Sequence, residues 1–156
     1  MCHRVSSYEV TGLETLWFLY RQPRMPRARS HLLIGLLYHP PNGINKDMVA
    51  HVLDCIDNCS KHHPNLGVIL LGDFNSLPDA PIRSYPLKQI AKSATRGSAI
   101  LDKIYTNVDD YYQVPAVLPA IGSSDHSCVS MQPLKLNLPS KGHTVFVRRR
   151  SRDPNS

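Results

Sequence analysis

Apolar and polar positions alternate or cluster along the chain in a way that predicts short strands around one long helix. Residues 14–20 are dense in bulky and aromatic side chains, and residues 31–38 form a second apolar run, so two strands are expected, joined by a long basic connection. Pro40, Pro41, Asn42 and Gly43 then break the chain, because prolines donate no backbone hydrogen bond and Asn-Gly favours turns. Beyond them, Met48, Val49, Val52, Leu53 and Ile56 recur at three- and four-residue spacing. That period predicts a helix capped by Asn45 and stopped by Pro64. A short apolar strand is expected at 67–71, followed by an irregular stretch to about residue 97. Further strands are predicted at 100–106, 113–118 and 128–132, with a weak one at 144–147 inside a tail that is otherwise expected to be disordered. The order strand, turn, helix, strand is the grammar of an α/β protein. No internal repeat interrupts it.

Composition adds bounds. A chain of 156 residues with 42% hydrophobic content can bury one ordinary core. Thirteen prolines imply a loop-rich surface, while 19% charged residues and well-defined apolar strands argue against wholesale disorder. Residues 1–12 lack the apolar stretch of a secretory signal, and the longest apolar run, 32–38, is too short to span a bilayer. Four cysteines at uneven spacing fit reduced thiols, so an intracellular, reducing compartment and no disulfide-linked partner are expected. The net charge of +6 is concentrated. Arg21, Arg24, Arg27 and Arg29, then Arg148, Arg149, Arg150 and Arg152, make up eight of the eighteen basic residues; without them ten basic side chains face twelve acidic ones. Such segments either pair with nucleic-acid phosphates or form a solvated hairpin loop and tail.

Two segments carry candidate chemistry. Val68-Ile69-Leu70-Leu71-Gly72-Asp73-Phe74-Asn75 is an apolar strand that delivers a carboxylate and an amide to its C-terminal end, the edge where α/β sheets hold ligands. Gly-Asp-x-Asn is also ordinary turn chemistry. Gly122-Ser123-Ser124-Asp125-His126 sets a carboxylate beside an imidazole just before a strand. Imidazole suits proton transfer when a carboxylate fixes its tautomer. Neighbouring strand residues point apart, so Asp102 is the alternative partner to Asp125. A third constellation, His51, Cys55, Cys59 and His62 on the helix, invites a zinc reading. It fails on length, because positions eight apart lie about 12 Å apart along a helix axis. Cys55 and Cys59 are expected at the core boundary.

Taken in order, Tyr38-His39-Pro40-Pro41-Asn42, Leu71-Gly72-Asp73-Phe74-Asn75-Ser76, Thr95-Arg96 with Leu101-Asp102-Lys103-Ile104-Tyr105-Thr106-Asn107, and Ser124-Asp125-His126 resemble the latter half of the endonuclease/exonuclease/phosphatase superfamily. The likeness is greatest to the endonuclease domains of jockey-type non-LTR retrotransposons. It covers residues 14–132, and the arginine-rich segment from Val147 is similar to the link those elements place before their reverse transcriptase. The resemblance implies a partial four-layer α/β sandwich over residues 1–138, a basic tail over 139–156, and DNA as partner. It makes Asp73 the carboxylate that positions water, with Asn75 contacting the phosphate. His126 becomes the general base or phosphorane stabiliser, and Asp102 the group that orients it. Tyr38 and Asn42 would contact the substrate phosphate, Asp125 would be a metal-side carboxylate, and Arg21, Arg24, Arg27, Arg29 and Arg96 would touch nucleic acid.

A magnesium or manganese ion is implied as cofactor. In the family the first half supplies an early asparagine and the principal metal-binding glutamate, and neither is placed here. Glu9 and Glu14 lie too near the second-half strands to be that glutamate. The expectation is therefore a weakly held ion, an exposed sheet face and marginal stability. Two alternatives stand beside the nuclease reading: a truncated remnant that binds nucleic acid without turnover, and a hydrolase of a non-nucleic-acid phosphoester on the same scaffold.

Overall fold

The computed structural model of the chain describes residues 1–21 and 28–134. The two apolar runs form β2 (Glu14–Tyr20) and β3 (Leu32–Tyr38), an antiparallel pair with Glu14 opposite Tyr38 and Tyr20 opposite Leu32. Helix α1 (Asn45–His62) then carries the chain back, so that β4 (Gly67–Asp73) runs parallel to β3. This crossover is what a parallel pair requires. β6 (Asp102–Thr106) lies antiparallel on the other side of β4. Two short strands close the edges, β1 (Cys2–Arg4) beside β2 and β5 (Lys88–Gln89) beside β6, giving the order β1-β2-β3-β4-β6-β5. A separate hairpin pairs β7 (Ala116–Leu118) with β8 (Cys128–Ser130).

The two-residue period of the strands divides the core. On one face, Trp17, Leu33, Leu37, Val68, Leu70 and Tyr105 pack against Met48, Val52, Cys55, Ile56 and Cys59 of α1, and against Ile82 of α2 (Asp79–Arg83). Both cysteines are thus core residues rather than boundary ones. Trp17 is fully buried. It fits because Gly35 lies opposite it: a Cβ at that position would stand 2.6 Å from the indole ring. The rings of Tyr8 and His51 meet the indole edge-on at centroid distances of 6.2 and 6.1 Å. On the other face, Leu32, Ile69 and Ile104 pack with Ala91 and Val108, with Val129 of β8 and Tyr112 alongside. Cover is incomplete there, for Leu16, Leu36 and Tyr38 are 40%, 36% and 41% exposed.

Two local expectations are corrected. Asn45 is the first helical residue rather than the cap, and the cap position is Ile44, with no side-chain bond. The Asn45 carboxamide oxygen instead pairs with His39 Nε2 at 2.7 Å, because a buried imidazole needs that partner more than an exposed helix end does. The stretch after Gly72 is not wholly irregular, since α2 and β5 lie within it. The N-terminal residues contribute β1 and a 3-10 turn at Ser6–Tyr8. The tail expected from residue 139 lies outside the described residues. Among those described, no helix is long and apolar enough to cross a membrane.

Two histidines make the fold acid-sensitive. The rings of His31 and His63 meet at 4.2 Å between centroids, tilted by 53°, and His31 Nδ1 is buried without a partner. Burial first, then the neighbouring His63 and Arg21, hold its pKa below the ordinary value. Burial likewise lowers that of His51, against an opposing pull from Asp54. A lowered folded-state value means that the unfolded chain binds protons first as pH falls below about 6.5, so stability is full above that pH and is lost beneath it. The thermal midpoint is expected to be level from pH 8 to 7 and to fall between 6.5 and 5. The slope should flatten in a His31→Gln/His51→Gln variant, and an equal slope in both proteins would assign the effect elsewhere.

Candidate active site

Register alone assembles one edge of the sheet. Glu14 pairs with Tyr38, Tyr38 with Asp73, and Asp73 with Asp102, so four polar residues from four adjacent strands stand in a row on one face. β4 delivers Asp73 through a backbone that only glycine permits. Gly72 has φ +141°, and a Cβ there would lie 1.9 Å from the Leu37 carbonyl oxygen. After Asp73 the chain is pinned by Phe74, which is fully buried against Tyr105 at 5.1 Å between ring centroids and donates its N–H to the Leu101 carbonyl. Asn75 follows in the left-handed region, at φ 41°. Its backbone N–H donates to Asp73 Oδ1 at 3.1 Å, and its side-chain amide donates to the His39 carbonyl at 2.8 Å. The Gly-Asp-x-Asn turn is thus both a turn and a mount for a carboxylate.

The second wall comes from β6 and the loop before β8. His126 Nδ1 lies 2.8 Å from Asp102 Oδ2, with both side chains about one-fifth to one-quarter exposed. An ionised carboxylate only accepts, so Nδ1 carries the proton and a neutral ring keeps its lone pair on Nε2. Thr95 holds the pair together. It is buried, and its hydroxyl oxygen accepts the N–H groups of Leu101 and Asp102 at 3.2 and 3.1 Å, while its carbonyl accepts the N–H of Ser127 at 2.8 Å. One side chain thereby ties the backbone beneath Asp102, and its own backbone ties the residue after His126. Asp73, Asp102 and His126 each bring one donor atom within 4.8 Å of the others, the group of this kind found among the described residues. Two carboxylates and an imidazole suit a divalent cation, with oxygen donors favouring magnesium or manganese and the nitrogen tolerated better by manganese.

Other expected residues fall differently. Asp125 is turned away to pair with Arg96 at 2.7 Å and does not join the cluster, so the second carboxylate beside Asp73 is Asp102. Arg96 is occupied by the same pair. Arg29 spends its guanidinium on the carbonyls of Leu66 and Asn107, at 3.2 and 2.7 Å, which fixes the entry to β3 rather than leaving a free cation. Arg21 is exposed, with its backbone bonded to Met1, and Arg24 and Arg27 lie outside the described residues. Tyr38 is half-exposed beside Asp73 in the row. Asn42 is exposed in the turn that Gly43 N–H closes onto the Pro40 carbonyl. On α1, His51 pairs with Thr15 Oγ1 at 3.1 Å and His62 with the Asn58 carbonyl at 2.9 Å. Thr95 and Gly72 stand in the quoted motifs without a role, because what they hold in place exists only once the strands are paired.

No family model matches the chain, and no curated protein matches it in sequence. Solved structures do match in fold. The endonuclease domain of TRAS1, a telomere-specific non-LTR retrotransposon, superposes with a TM-score of 0.69 at 11% identity, over 88% of this chain and 70% of that domain. A functionally unknown conserved protein from Enterococcus faecalis V583 superposes with a TM-score of 0.52 at 13% identity, over 76% of this chain and 56% of its own. The chain therefore has an α/β fold of the endonuclease type.

Proposed function

We propose that the chain carries a site for metal-assisted hydrolysis of a phosphodiester bond in nucleic acid. The observation that carries this reading is the Asp102–His126 pair set beside Asp73 at the C-terminal edge of β4, and the fold shared with a retrotransposon endonuclease domain supports it. In the proposed reaction a water attacks phosphorus while one P–O ester bond breaks. Asp73 accepts a hydrogen bond from that water and fixes its line of approach. The Nε2 lone pair of His126 takes the water's proton, and Asp102 stabilises the imidazolium that results. The departing oxygen is protonated from solvent or from that imidazolium, which resets the ring. Tyr38, opposite Asp73 in the strand register, and the amide hydrogen of Asn75 not given to His39 would donate to the non-bridging oxygens. Asp73 and the Asp102 oxygen not bonded to His126 would hold the divalent cation. When bound, it polarises the phosphoryl group and offsets charge building on it.

The test is nicking of supercoiled plasmid by the purified chain with magnesium or manganese, and its suppression by a chelator. A rate no greater than that of buffer with either ion would overturn the reading and leave a nucleic-acid-binding module. Thr95→Val adds a finer check. Valine removes the acceptor of two buried N–H groups, at a cost of about 1–3 kcal/mol, and lets Asp102 shift under His126. Nicking should fall roughly 10- to 100-fold through kcat rather than KM, since misplacement of about an ångström has that order of effect. Thr95→Ser should restore it. Equal losses in both variants would show that the packing of the whole side chain, and not the hydroxyl alone, matters.

A further inference from the structure

Behind the carboxylate row lies a cavity of about 650 Å³ whose lining is basic: Arg83, Lys88, Lys92 and Lys103 against the single carboxylate Asp79. Its position follows from the alternation of β6. Asp102 faces the site, and Lys103, the next residue, faces the opposite side. Ile100, just before β6, also lines the cavity. The two sites thus share one pole of the sheet, back to back across the start of a single strand. Lys103 is built in rather than loosely displayed. Its side chain is 13% exposed and its ammonium bonds Asp79 at 2.5 Å, where the buried Tyr105 hydroxyl also donates. Lys88 leans on Asp109, and Lys92 donates to the Gln89 carbonyl. Counting Asp79 and Asp109 against the four cations still leaves an excess of two positive charges.

The candidate active site needs such a neighbour. Asp73 and Asp102 present negative charge to a substrate that is itself a polyanion, and Arg96 is neutralised by Asp125. A strand carries a phosphate about every 3.4 Å along its axis, so one phosphate at Asp73 sets others only a few residues' width away. We propose that the Arg83–Lys103 cavity binds the phosphate backbone of a nucleic-acid strand where it passes round the start of β6 from the phosphate addressed by Asp73 and His126. This rests on the nuclease reading for its meaning, but its test does not need turnover.

Binding of a fluorescein-labelled single-stranded oligonucleotide is followed by anisotropy in chelator, from 50 to 200 mM salt. Removing two phosphate contacts should reduce the slope of log K against log salt by about 1.4, given about 0.7 per contact on single strands. Arg83→Ala/Lys92→Ala should show that reduction and bind about tenfold more weakly. Arg83→Lys/Lys92→Arg, which keeps both charges, should match the parent. Lys61→Ala, at the far end of α1, should leave the slope alone. An unchanged slope in the double alanine variant, or an equal fall in Lys61→Ala, overturns the proposal. So does loss of pyrophosphate binding with oligonucleotide binding intact, which would make this a pocket for small phosphates. The expected reduction in the double alanine variant of a parent that never nicks supports the cavity and sinks the hydrolase; a parent that nicks but whose double variant binds normally does the reverse.

Discussion

Asp73→Asn is expected to reduce divalent-dependent nicking by about 10²- to 10⁴-fold while leaving the fold in place. The substitution is nearly isosteric. The asparagine side-chain oxygen can still accept the Asn75 N–H that closes the turn, so the mount survives and the thermal midpoint should move by no more than a few degrees. What is lost is the charge. An amide cannot hold a cation as a carboxylate does, and it orients water weakly, so the contribution disappears from the reaction rather than from the structure. Binding offers the complementary readout. With one negative charge fewer at the sheet edge, oligonucleotide affinity in chelator should equal or exceed that of the parent. Parental nicking by Asp73→Asn would remove this residue from the chemistry, and weakened binding would mean that the side chain serves affinity instead.

The second large effect is structural. Gly72→Ala should cost about 3 kcal/mol or more, combining backbone strain at φ +141° with a clash that cannot relax cheaply. The atom in the way is a carbonyl oxygen of the neighbouring strand, 1.9 Å from the new Cβ, so relief requires β3 and β4 to part at Leu37 and Gly72. Asp73 is the next residue and moves with them. Stability and nicking should therefore fall together, unlike in Asp73→Asn. Urea unfolding is the measurement, with the midpoint lowered at unchanged slope. Gly35→Ala is a useful contrast, because its Cβ would meet side chains, the Trp17 ring at 2.6 Å and Leu70 at 3.0 Å, so relief there means repacking the core rather than parting two strands. A Gly72→Ala midpoint equal to that of the parent would mean that the strands approach each other less closely there.

The long elements were legible because periodicity acts over many residues. Seven-residue strands at β2, β3 and β4 and the eighteen-residue α1 each repeat their apolar signal several times. α2 spans five residues with Pro81 among them, β5 two and β1 three, which is too little for any period to register. In the site, Asp73 was visible because an apolar strand ends on it, and Asp102 and His126 because each opens toward a later strand. Their pairing came with a choice between two aspartates, and geometry settles on Asp102 because Asp125 meets Arg96 across the adjacent loop. Arg29 shows the limit most clearly. A run of arginines reads as a surface, yet this one reaches carbonyls of Leu66 and Asn107, 37 and 78 residues away in sequence, and no local pattern encodes so distant a partner. Thr95 stands in a quoted motif, but its bonds to Leu101 and Asp102 are set by the fold in the same way.

The burial of Trp17 gives these experiments a common optical signal. It is the only tryptophan in the chain, its indole is shielded from water, and its Nε1 is without a hydrogen-bond partner. Emission from such an indole is blue-shifted and moves to longer wavelength when the core opens, so urea curves for Gly72→Ala and Asp73→Asn need no added dye. The His51 ring at its edge adds a second channel, since a protonated imidazole quenches indole emission where a neutral one does so only weakly. Intensity then reports the charge of His51 while wavelength reports the integrity of the sheet, and the acid transition can be separated into protonation and unfolding in one titration.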